Sequence, residues 1–314
     1  MNNTTIRGRF APSPSGRLHV GNMLSSLLAW LDVRSLGGEM LFRLEDLDPD
    51  RSSYDLACYM AEDFSWLGLD WDLGWNGEKE SLYAQSCRTS LYESVFNDME
   101  AQGIVYPCFC SRAQRLAASA PHPGELQDLG CGCISLPNEI KQEYLSTKKH
   151  SFRVRVDSRE IPFTDDHYGP QHFRLTAGRD DFIIRRADGV FAYQLAVSYD
   201  DAVMGITRVV RANDLLDSSP KQIFLIEKMG YTAPTYCHAP LLVVEDGRKM
   251  SKRNGDLCME QLRKTHTPEQ LCGKLAFLAG LISKPEAISP KDLIKDFSWT
   301  RVPTENILMP SDLF

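Results

Sequence analysis

The chain opens with an alternation of apolar and turn-forming segments. The pattern predicts a strand over residues 6–10, a turn-rich stretch over 11–16, a helix over 20–38 and a second strand over 40–45. Strand, crossover helix and strand in this order form a βαβ unit. They therefore indicate a parallel sheet that binds its ligands at the carboxyl ends of the strands.

The pattern changes further along the chain. Apolar residues at helical spacing predict helices over 54–67 and 81–102. Short strands and turn-rich stretches between 101 and 178 indicate an insertion between two halves of the sheet. Strands and helices return after residue 180, and the tail from Pro268 is predicted to be mostly helical.

Composition is typical of a globular protein, with 43% hydrophobic and 25% charged residues among 314. The 35 Lys and Arg residues against 42 Asp and Glu give a net charge of −7 and no general affinity for polyanions. Any contact with RNA would therefore require a local basic face. The chain has neither a signal-peptide pattern nor an apolar run that could span a membrane, so we expect a cytoplasmic protein without a membrane partner.

The first candidate site is the junction between the first strand and the first helix, residues 9–22. Backbone N–H groups and the helix dipole would face a bound anion there, and Gly16 and Gly21 would allow phosphates to approach the backbone. His19 could donate a hydrogen bond to a phosphoryl oxygen as charge builds in a transition state. A Pro-rich turn before a buried helix, with a solvated histidine, would have the same local sequence.

The second candidate site is a glycine-bounded cationic loop, residues 247–255. Its lysines could pair with phosphates, and its glycines would let it close over a ligand. A solvated surface loop has a similar composition. The occurrence of both sites in this order indicates a phosphate-binding function more strongly than either site does by itself.

Together the two motifs resemble the signatures of class I aminoacyl-tRNA synthetases. Residues 9–22 resemble the HIGH motif in its glutamate-type form, and residues 249–253 resemble the KMSKS motif. Blocks at 44–49, 193–201 and 210–216 resemble other parts of glutamyl-tRNA synthetases. The resemblance covers about residues 6 to 260.

Within that family the chain is similar to the shortened glutamyl-Q tRNA(Asp) synthetases, which attach glutamate to the queuosine base of tRNA(Asp). The reason is that it ends soon after Lys252, where full glutamyl-tRNA synthetases continue into an anticodon-binding domain. The resemblance implies an α/β fold with a Rossmann-type doubly wound parallel sheet, a zinc-containing insertion, a short helical C-terminal stem-contact region and no anticodon-binding domain.

The resemblance also implies four segments. Residues 1–100 would form the first half of the nucleotide-binding catalytic domain, and 179–240 the second half. Residues 101–178 would form an insertion that binds zinc and the acceptor. Residues 241–314 would hold the cationic loop and a helical C-terminal region.

Site residues follow from the resemblance by position. Two arginines and one glutamate would complement the two carboxylates and one ammonium of a glutamate substrate. Implied glutamate-binding residues are Arg9, Phe10, Ala11, Pro12, Ser13, Glu45, Tyr193 and Arg211. Implied ATP-binding residues are His19, Gly21, Asn22, Lys249, Met250, Ser251, Lys252 and Arg253. His19 and Lys252 are the implied catalytic residues.

The sequence departs from the family pattern at two of these positions. Asn22 stands where the second histidine of the HIGH motif is usual, and it keeps a hydrogen-bond donor but cannot carry charge. We therefore expect His19 to do more of the phosphate work and activation to be slower. Arg253 in place of the final serine of KMSKS is a smaller change.

Four of the nine cysteines form two C-x-C pairs, Cys108 with Cys110 and Cys131 with Cys133. Four thiolates can close a tetrahedral Zn²⁺ site without an open position, so the metal would be structural. Surface thiols without a metal, or a redox use, are the alternatives. In the short paralogues the site often contains a tyrosine and one cysteine in its second half, so Cys131 would replace that tyrosine, with His122 as a spare ligand.

The expected reaction is the activation of L-glutamate by ATP·Mg²⁺ and its transfer to queuosine in the anticodon loop of tRNA(Asp), carried out by a monomer. Three alternatives stay open. They are glutamylation of a tRNA 3′ end, a HIGH-type nucleotidylyltransferase activity, and a non-catalytic paralogue that binds RNA or ATP.

Overall fold

The computed structural model describes residues 5–110, 131–244, 257–310 and 313–314. Its strands are β1 (Arg7–Phe10), β2 (Glu39–Phe42), β3 (Leu73–Gly74), β4 (Val105–Cys108), β5 (Ser151–Val154), β6 (Arg159–Asp165), β7 (Gly169–Leu175), β8 (Phe182–Arg185), β9 (Arg208–Ala212), β10 (Thr235–Ala239), β11 (Leu242–Val243) and β12 (Ile307–Leu308). Its α-helices are α1 (Val20–Ser35), α2 (Tyr54–Leu67), α3 (Thr89–Ala101), α4 (Asn138–Thr147), α5 (Tyr193–Val203), α6 (Ser219–Lys228), α7 (Met259–Thr265), α8 (Pro268–Leu278) and α9 (Pro290–Leu293).

The central sheet is built around β1. On one side β1 pairs in parallel with β2, and β2 with β3. On the other side the Thr207 N–H donates to the Arg7 carbonyl (3.0 Å), which brings β9 beside β1, and β9 pairs in parallel with β10. The order β3-β2-β1-β9-β10 is that of a Rossmann-type sheet, whose strand order reverses between β1 and β9. The predicted fold class is therefore confirmed.

Helix α1 is the crossover between β1 and β2, and it is buried on several faces. Leu27, Leu28 and Leu31 are fully buried in the main core, together with residues of α2 and α8. Each such leucine contributes about 2 kcal/mol by burial. This packing fixes the first turn of α1 at the carboxyl edge of the sheet.

The predicted helix over 81–102 is wrong at its start. Residues 85–88 form one turn of 3₁₀ helix, and α3 begins only at Thr89. The reason is that the preceding residues extend the sheet: the Leu44 N–H donates to the Tyr83 carbonyl (2.8 Å), and the Gln85 N–H donates to the Leu44 carbonyl (3.0 Å). Backbone groups bonded to a strand in this way cannot also form helical bonds.

Two strands of the segment predicted as an insertion, β4 and β5, form an antiparallel sheet with β8, which lies just beyond that segment, and β6 and β7 form an antiparallel hairpin. Strand β6 also meets β10, where Asp165 pairs with Tyr236. The division into four segments stays a prediction. At the C-terminal end β12 pairs in parallel with β11, just before the cationic loop. Within the described ranges, no helix combines the length and the apolar character needed to cross a bilayer.

Candidate active site

A cavity of about 500 Å³ lies where the strand order reverses, beyond the carboxyl ends of β1 and β9. Parallel sheets bind ligands at this position because two neighbouring crossovers leave in opposite directions there. The cavity is lined by all eight residues implied to bind glutamate, namely Arg9, Phe10, Ala11, Pro12, Ser13, Glu45, Tyr193 and Arg211. Asn22 also lines it. The eight residues thus share one cavity, while the role of each stays a prediction.

A buried ionic network supports one wall of this cavity. Arg43 is fully buried and donates to Asp201 Oδ1 (2.8 Å) and to Glu45 Oε1 (3.1 Å). Arg9 lies 3.4 Å from the same Asp201 carboxylate and donates to the Val210 carbonyl (3.1 Å). Asp201 therefore fixes two arginines at once, and Arg43 orients Glu45.

Burial and charge act on the two carboxyls of this network in different proportions. Burial raises the pKa of Glu45, and the charges of Arg43 and Arg9 offset only part of that rise. For Asp201 burial also favours the neutral form, but Arg43 and Arg9 outweigh it and hold the pKa of that carboxyl below its usual range. Asp201 is the permanent anion, and Glu45 is the group whose charge is costly without a cationic ligand.

Asp200, the neighbour of Asp201 on α5, anchors a different set of side chains. It accepts hydrogen bonds from Arg88 Nε (2.7 Å), Gln85 Nε2 (2.8 Å) and the Tyr92 hydroxyl (2.7 Å). These contacts attach the start of α3 to α5. The adjacent carboxylates thus have different hydrogen-bond partners, although Asp200 Oδ2 also lies 3.9 Å from Arg43 Nε and so contributes to the charge around Arg43.

Arg211 is held by several acceptors. Its Nε donates to His238 Nε2 (3.0 Å), and Nη1 donates to Gln222 Oε1 (2.7 Å). Its Nη2 donates to Ser219 Oγ (2.8 Å) and to the Leu215 carbonyl (3.2 Å). Within the described part of the chain these four bonds leave one N–H of Nη1 for a ligand, so the guanidinium is fixed before any substrate enters.

Two of the residues that position the site were not anticipated from the sequence. Arg43 is a cation within the apolar run 40–44, and that placement was an available signal of a buried ion pair. His238 lies in β10 among apolar residues and is fully buried. Burial and the nearby charge of Arg211 lower its pKa, so it is neutral and can accept from Arg211.

His19 is the N-cap of α1. Its Nδ1 accepts hydrogen bonds from the N–H groups of Gly21 (3.1 Å) and Asn22 (3.3 Å), and Asn22 Oδ1 accepts from the His19 N–H (3.2 Å). This reciprocal pair is a capping box. A Cβ at Gly21 would lie 3.1 Å from His19 Cε1, a tight contact that would displace the ring slightly from the start of the helix. Because Nδ1 is an acceptor, the proton of the neutral ring is on Nε2.

The base of the cationic loop lies beside this capping box. Residues 257–259 run antiparallel to residues 18–20, with the Val20 N–H donating to the Leu257 carbonyl (3.1 Å). The chain therefore leaves the loop next to His19. The predicted ATP-binding residues of the loop itself lie outside the described residues: Lys249, Met250, Ser251, Lys252 and Arg253.

The four paired cysteines form one cluster. Cys131 Sγ lies 3.3 Å from Cys108 Sγ and 3.6 Å from Cys110 Sγ, and Cys110 Sγ lies 3.5 Å from Cys133 Sγ. All four sulfurs lie within 4.8 Å of one another and are not disulfide-bonded. A tetrahedron of sulfurs about 2.3 Å from Zn²⁺ has edges of about 3.8 Å, so the cluster fits this ion. The suggested spare ligand, His122, lies outside the described residues.

Comparisons with known proteins identify the family of the chain. The family model described as "tRNA synthetases class I (E and Q), catalytic domain" matches residues 5–310. The chain is 44% identical to a glutamyl-Q tRNA(Asp) synthetase of Symbiobacterium thermophilum, over 97% of this chain and 96% of the relative. It is 41% identical to glutamate--tRNA ligase 2 of Nitrosococcus oceani, over 88% of this chain and 60% of the relative.

The fold comparison leads to the same group of proteins. The crystal structure of a glutamate-tRNA synthetase from Elizabethkingia anophelis superposes with a TM-score of 0.82. The match covers 98% of this chain and 69% of that one, at 24% sequence identity. At this identity the likeness concerns the fold alone.

Proposed function

The chain belongs to the class I tRNA synthetase family for glutamate and glutamine, and we propose that it activates L-glutamate with ATP and transfers it to queuosine in the anticodon of tRNA(Asp). It is a ligase of the aminoacyl-tRNA synthetase type. Relatives named glutamyl-Q tRNA(Asp) synthetase match it over nearly their whole length, at 44% and 41% identity, which supports this acceptor.

The observation that carries the proposal is the combination of Arg9, Arg211 and Glu45 in one cavity. Each arginine would bind one carboxylate of glutamate, and Glu45 would accept from the α-ammonium. Arg211 is already oriented by protein acceptors, and Glu45 by Arg43. Little side-chain conformational entropy would therefore be lost on binding, which favours affinity for this dicarboxylic amino acid.

ATP would bind at the start of α1. The amino end of a helix favours a phosphate, and Asn22 lines the cavity. His19 would donate from Nε2 to the phosphoryl oxygens, while Nδ1 keeps the cap. Lys249 and Lys252 of the cationic loop would pair with the phosphates, and Met250, Ser251 and Arg253 would complete the loop. Mg²⁺ would accompany the nucleotide.

The reaction would have two steps. An oxygen of the glutamate α-carboxylate attacks the α-phosphorus of ATP, a new P–O bond forms, and pyrophosphate leaves with the electrons of the broken bond. A hydroxyl of the queuosine cyclopentene ring then attacks the activated carbonyl, loses its proton, and AMP leaves. Negative charge grows on the phosphorus oxygens in the first step, so donors fixed beforehand lower its barrier.

The cysteine cluster would hold one structural Zn²⁺. Its four thiolates would fill every position of a tetrahedral ion and leave no site for a reacting water. The metal would order the segment that contains Cys108 and Cys133, which pack into a small core of their own.

Glutamylation of a tRNA 3′ end is the second candidate function. The 41% identity to a glutamate--tRNA ligase, over 88% of this chain and 60% of that relative, favours it. Both candidates share the first step and differ only in the acceptor.

Charging assays with labelled glutamate separate the two. We expect label on tRNA(Asp) that contains queuosine and none on tRNA(Asp) that lacks it. Equal labelling of both, or labelling of tRNA(Glu), would remove the proposed acceptor. Absence of glutamate-dependent pyrophosphate exchange would remove the activation step as well.

A further inference from the structure

A basic groove of about 400 Å³ lies between the loop after α4 and the turn after β8. The part of this groove used below consists of Lys148, Lys149, His150, Phe152, Arg185 and Arg186. Among the described residues that line it, four are Lys or Arg and none is Asp or Glu. In a chain of net charge −7 this is a local concentration of positive charge.

A second cavity of about 370 Å³ lies between the groove and the glutamate cavity and shares lining residues with both. Arg186 lines both the groove and the second cavity. Ser13, Glu45 and Tyr193 line both the second cavity and the glutamate cavity. The three spaces therefore adjoin in a row, and this row is the path along which an acceptor would reach the place where the activated carbonyl would lie.

The charges along this path differ in how strongly they are held. Arg185 pairs with Glu93 (2.9 Å), and Arg186 pairs with Asp48 (2.9 Å), which also lines the second cavity. Lys148 and Lys149 are exposed, and within the described ranges neither forms an ion pair, although Lys148 Nζ packs over the Tyr144 ring at 3.2 Å from its centroid. A polyanion could therefore bind the two lysines without breaking an ion pair, whereas binding to either arginine would compete with a carboxylate.

Aromatic rings accompany the cations. His150 and Phe152 pack edge to face with ring centroids 5.2 Å apart, and both line the groove. Cations together with aromatic rings are typical of surfaces that bind single-stranded nucleic acid, where phosphates meet the charges and bases stack on the rings. Only an unpaired nucleotide could turn into the second cavity from such a strand.

We propose that the basic groove binds the phosphates of the single-stranded RNA segment next to the acceptor nucleoside, and that this nucleoside enters the second cavity. The inference rests on the proposed function for the presence of an RNA acceptor. It adds the surface that holds the RNA and the direction from which the acceptor hydroxyl arrives. The occupant is the anticodon loop that carries queuosine, and a tRNA 3′ end, which offers the same chemistry, is the competing outcome of the test.

Binding of a fluorescent anticodon stem-loop of tRNA(Asp) containing queuosine tests the groove. The variant carries Lys148→Glu and Lys149→Glu, and the matched control carries Lys79→Glu and Lys221→Glu, which line none of the three spaces and lie outside the predicted C-terminal stem-contact region. Two lost phosphate contacts, at roughly 0.7 each for a single strand, should reduce the slope of log Kd against log salt by about 1.4. We expect Kd to rise at least tenfold in the groove variant and to change less than twofold in the control.

The possible outcomes test the role of the groove and the identity of the acceptor separately. An unchanged Kd and salt slope in the groove variant, or an equal loss in the control, would overturn the groove whatever the enzyme charges. Groove-dependent binding of a minihelix with a tRNA 3′ end, without binding of the anticodon stem-loop, would support the groove and overturn queuosine as the acceptor. The KM values for glutamate and ATP in pyrophosphate exchange should be unchanged, since neither lysine lines the glutamate cavity.

Discussion

His238 Nδ1 donates to Asp165 Oδ2 over 2.6 Å, and both side chains are completely excluded from solvent. On the other side of the ring, Nε2 accepts from Arg211 Nε (3.0 Å). A carboxylate thus fixes the tautomer of an imidazole, and the imidazole fixes an arginine of the cavity proposed to bind glutamate. Burial opposes the charge of Asp165, but the bond from His238 and the Tyr168 N–H hold the pKa of Asp165 below its usual range.

Substituting His238 should therefore weaken glutamate binding without affecting ATP. Asn keeps a donor near the position of Nδ1 but has no acceptor for Arg211, whereas Gln keeps the acceptor and loses the donor to Asp165. We expect His238→Asn to raise the KM for glutamate about tenfold, the equivalent of one lost hydrogen bond of roughly 1.4 kcal/mol, with a smaller rise for His238→Gln. Pyrophosphate exchange at varied glutamate and varied ATP measures both constants.

A purely structural role for His238 would change the two KM values together, so equal effects on glutamate and ATP would contradict the positioning role. The pH dependence of stability gives an independent readout. The pKa of His238 is lowered in the folded protein, so the unfolded chain takes up a proton first as the pH falls through about 6.5, and stability declines in that range. The decline should be shallower in His238→Gln.

Glu45→Gln should make the protein more stable and less active. The pKa of Glu45 is raised by burial, so ionised Glu45 costs stability above its folded pKa, and that cost disappears as the pH falls through this value. Gln keeps an acceptor for Arg43 without the charge. We expect the Tm at neutral pH to rise by about 2 °C and the KM for glutamate to rise about 10- to 100-fold through the lost charged acceptor.

Thermal unfolding at several pH values checks the first effect, and exchange kinetics check the second. The difference in Tm should shrink as the pH is lowered, because Glu45 then becomes neutral in the native enzyme. A lower Tm for the variant at neutral pH would mean that ionised Glu45 stabilises the empty cavity, against the expectation.

The sequence predicted the elements that follow from local patterns. The βαβ unit and the helix Tyr54–Leu67 were predicted correctly, because apolar spacing encodes them, while the residues implied to bind glutamate line one cavity and their roles stay predictions. The helix start at Thr89 was not predicted, since the preceding backbone is bonded to Leu44 across the sheet. The contact of His238 with Asp165 joins residues 73 positions apart, and no local pattern records such a pair.

Asn22 allows capping and catalysis to be separated. Asp at this position would keep an acceptor for the His19 N–H and would favour the helix dipole, but it would place a negative charge in the cavity. Ala would lose the acceptor and add no charge. We expect Asn22→Ala to lower stability by about 1 kcal/mol, and Asn22→Asp to keep it.

The activities should follow the opposite order. Asn22→Asp should lower kcat for pyrophosphate exchange more than tenfold through repulsion of the ATP phosphates, and Asn22→Ala should lower it less. Asn22→His should raise kcat, because an imidazolium can donate with charge as the phosphorus oxygens become more negative. Equal kcat for Asp and Ala variants would place the phosphates away from Asn22.

We expect the cysteine cluster to hold zinc and the catalytic cavity to work without it. Cys108 and Cys133 pack with Tyr106 in a small core separate from the cores of the catalytic sheet. Cys108→Ser or Cys133→Ser should reduce bound zinc from about one ion per chain to nearly none, as measured by elemental analysis, because a tetrahedral site loses one of its four ligands. Cys87→Ser is the matched control, since Cys87 is exposed and lies outside the cluster.

Glutamate-dependent pyrophosphate exchange should survive within about twofold because the cavity lies outside the cluster, whereas transfer to tRNA should fall if the ordered segment contacts the acceptor. A full zinc content in both serine variants would reject the site, and loss of exchange in parallel with zinc would show that the cluster also supports the catalytic sheet.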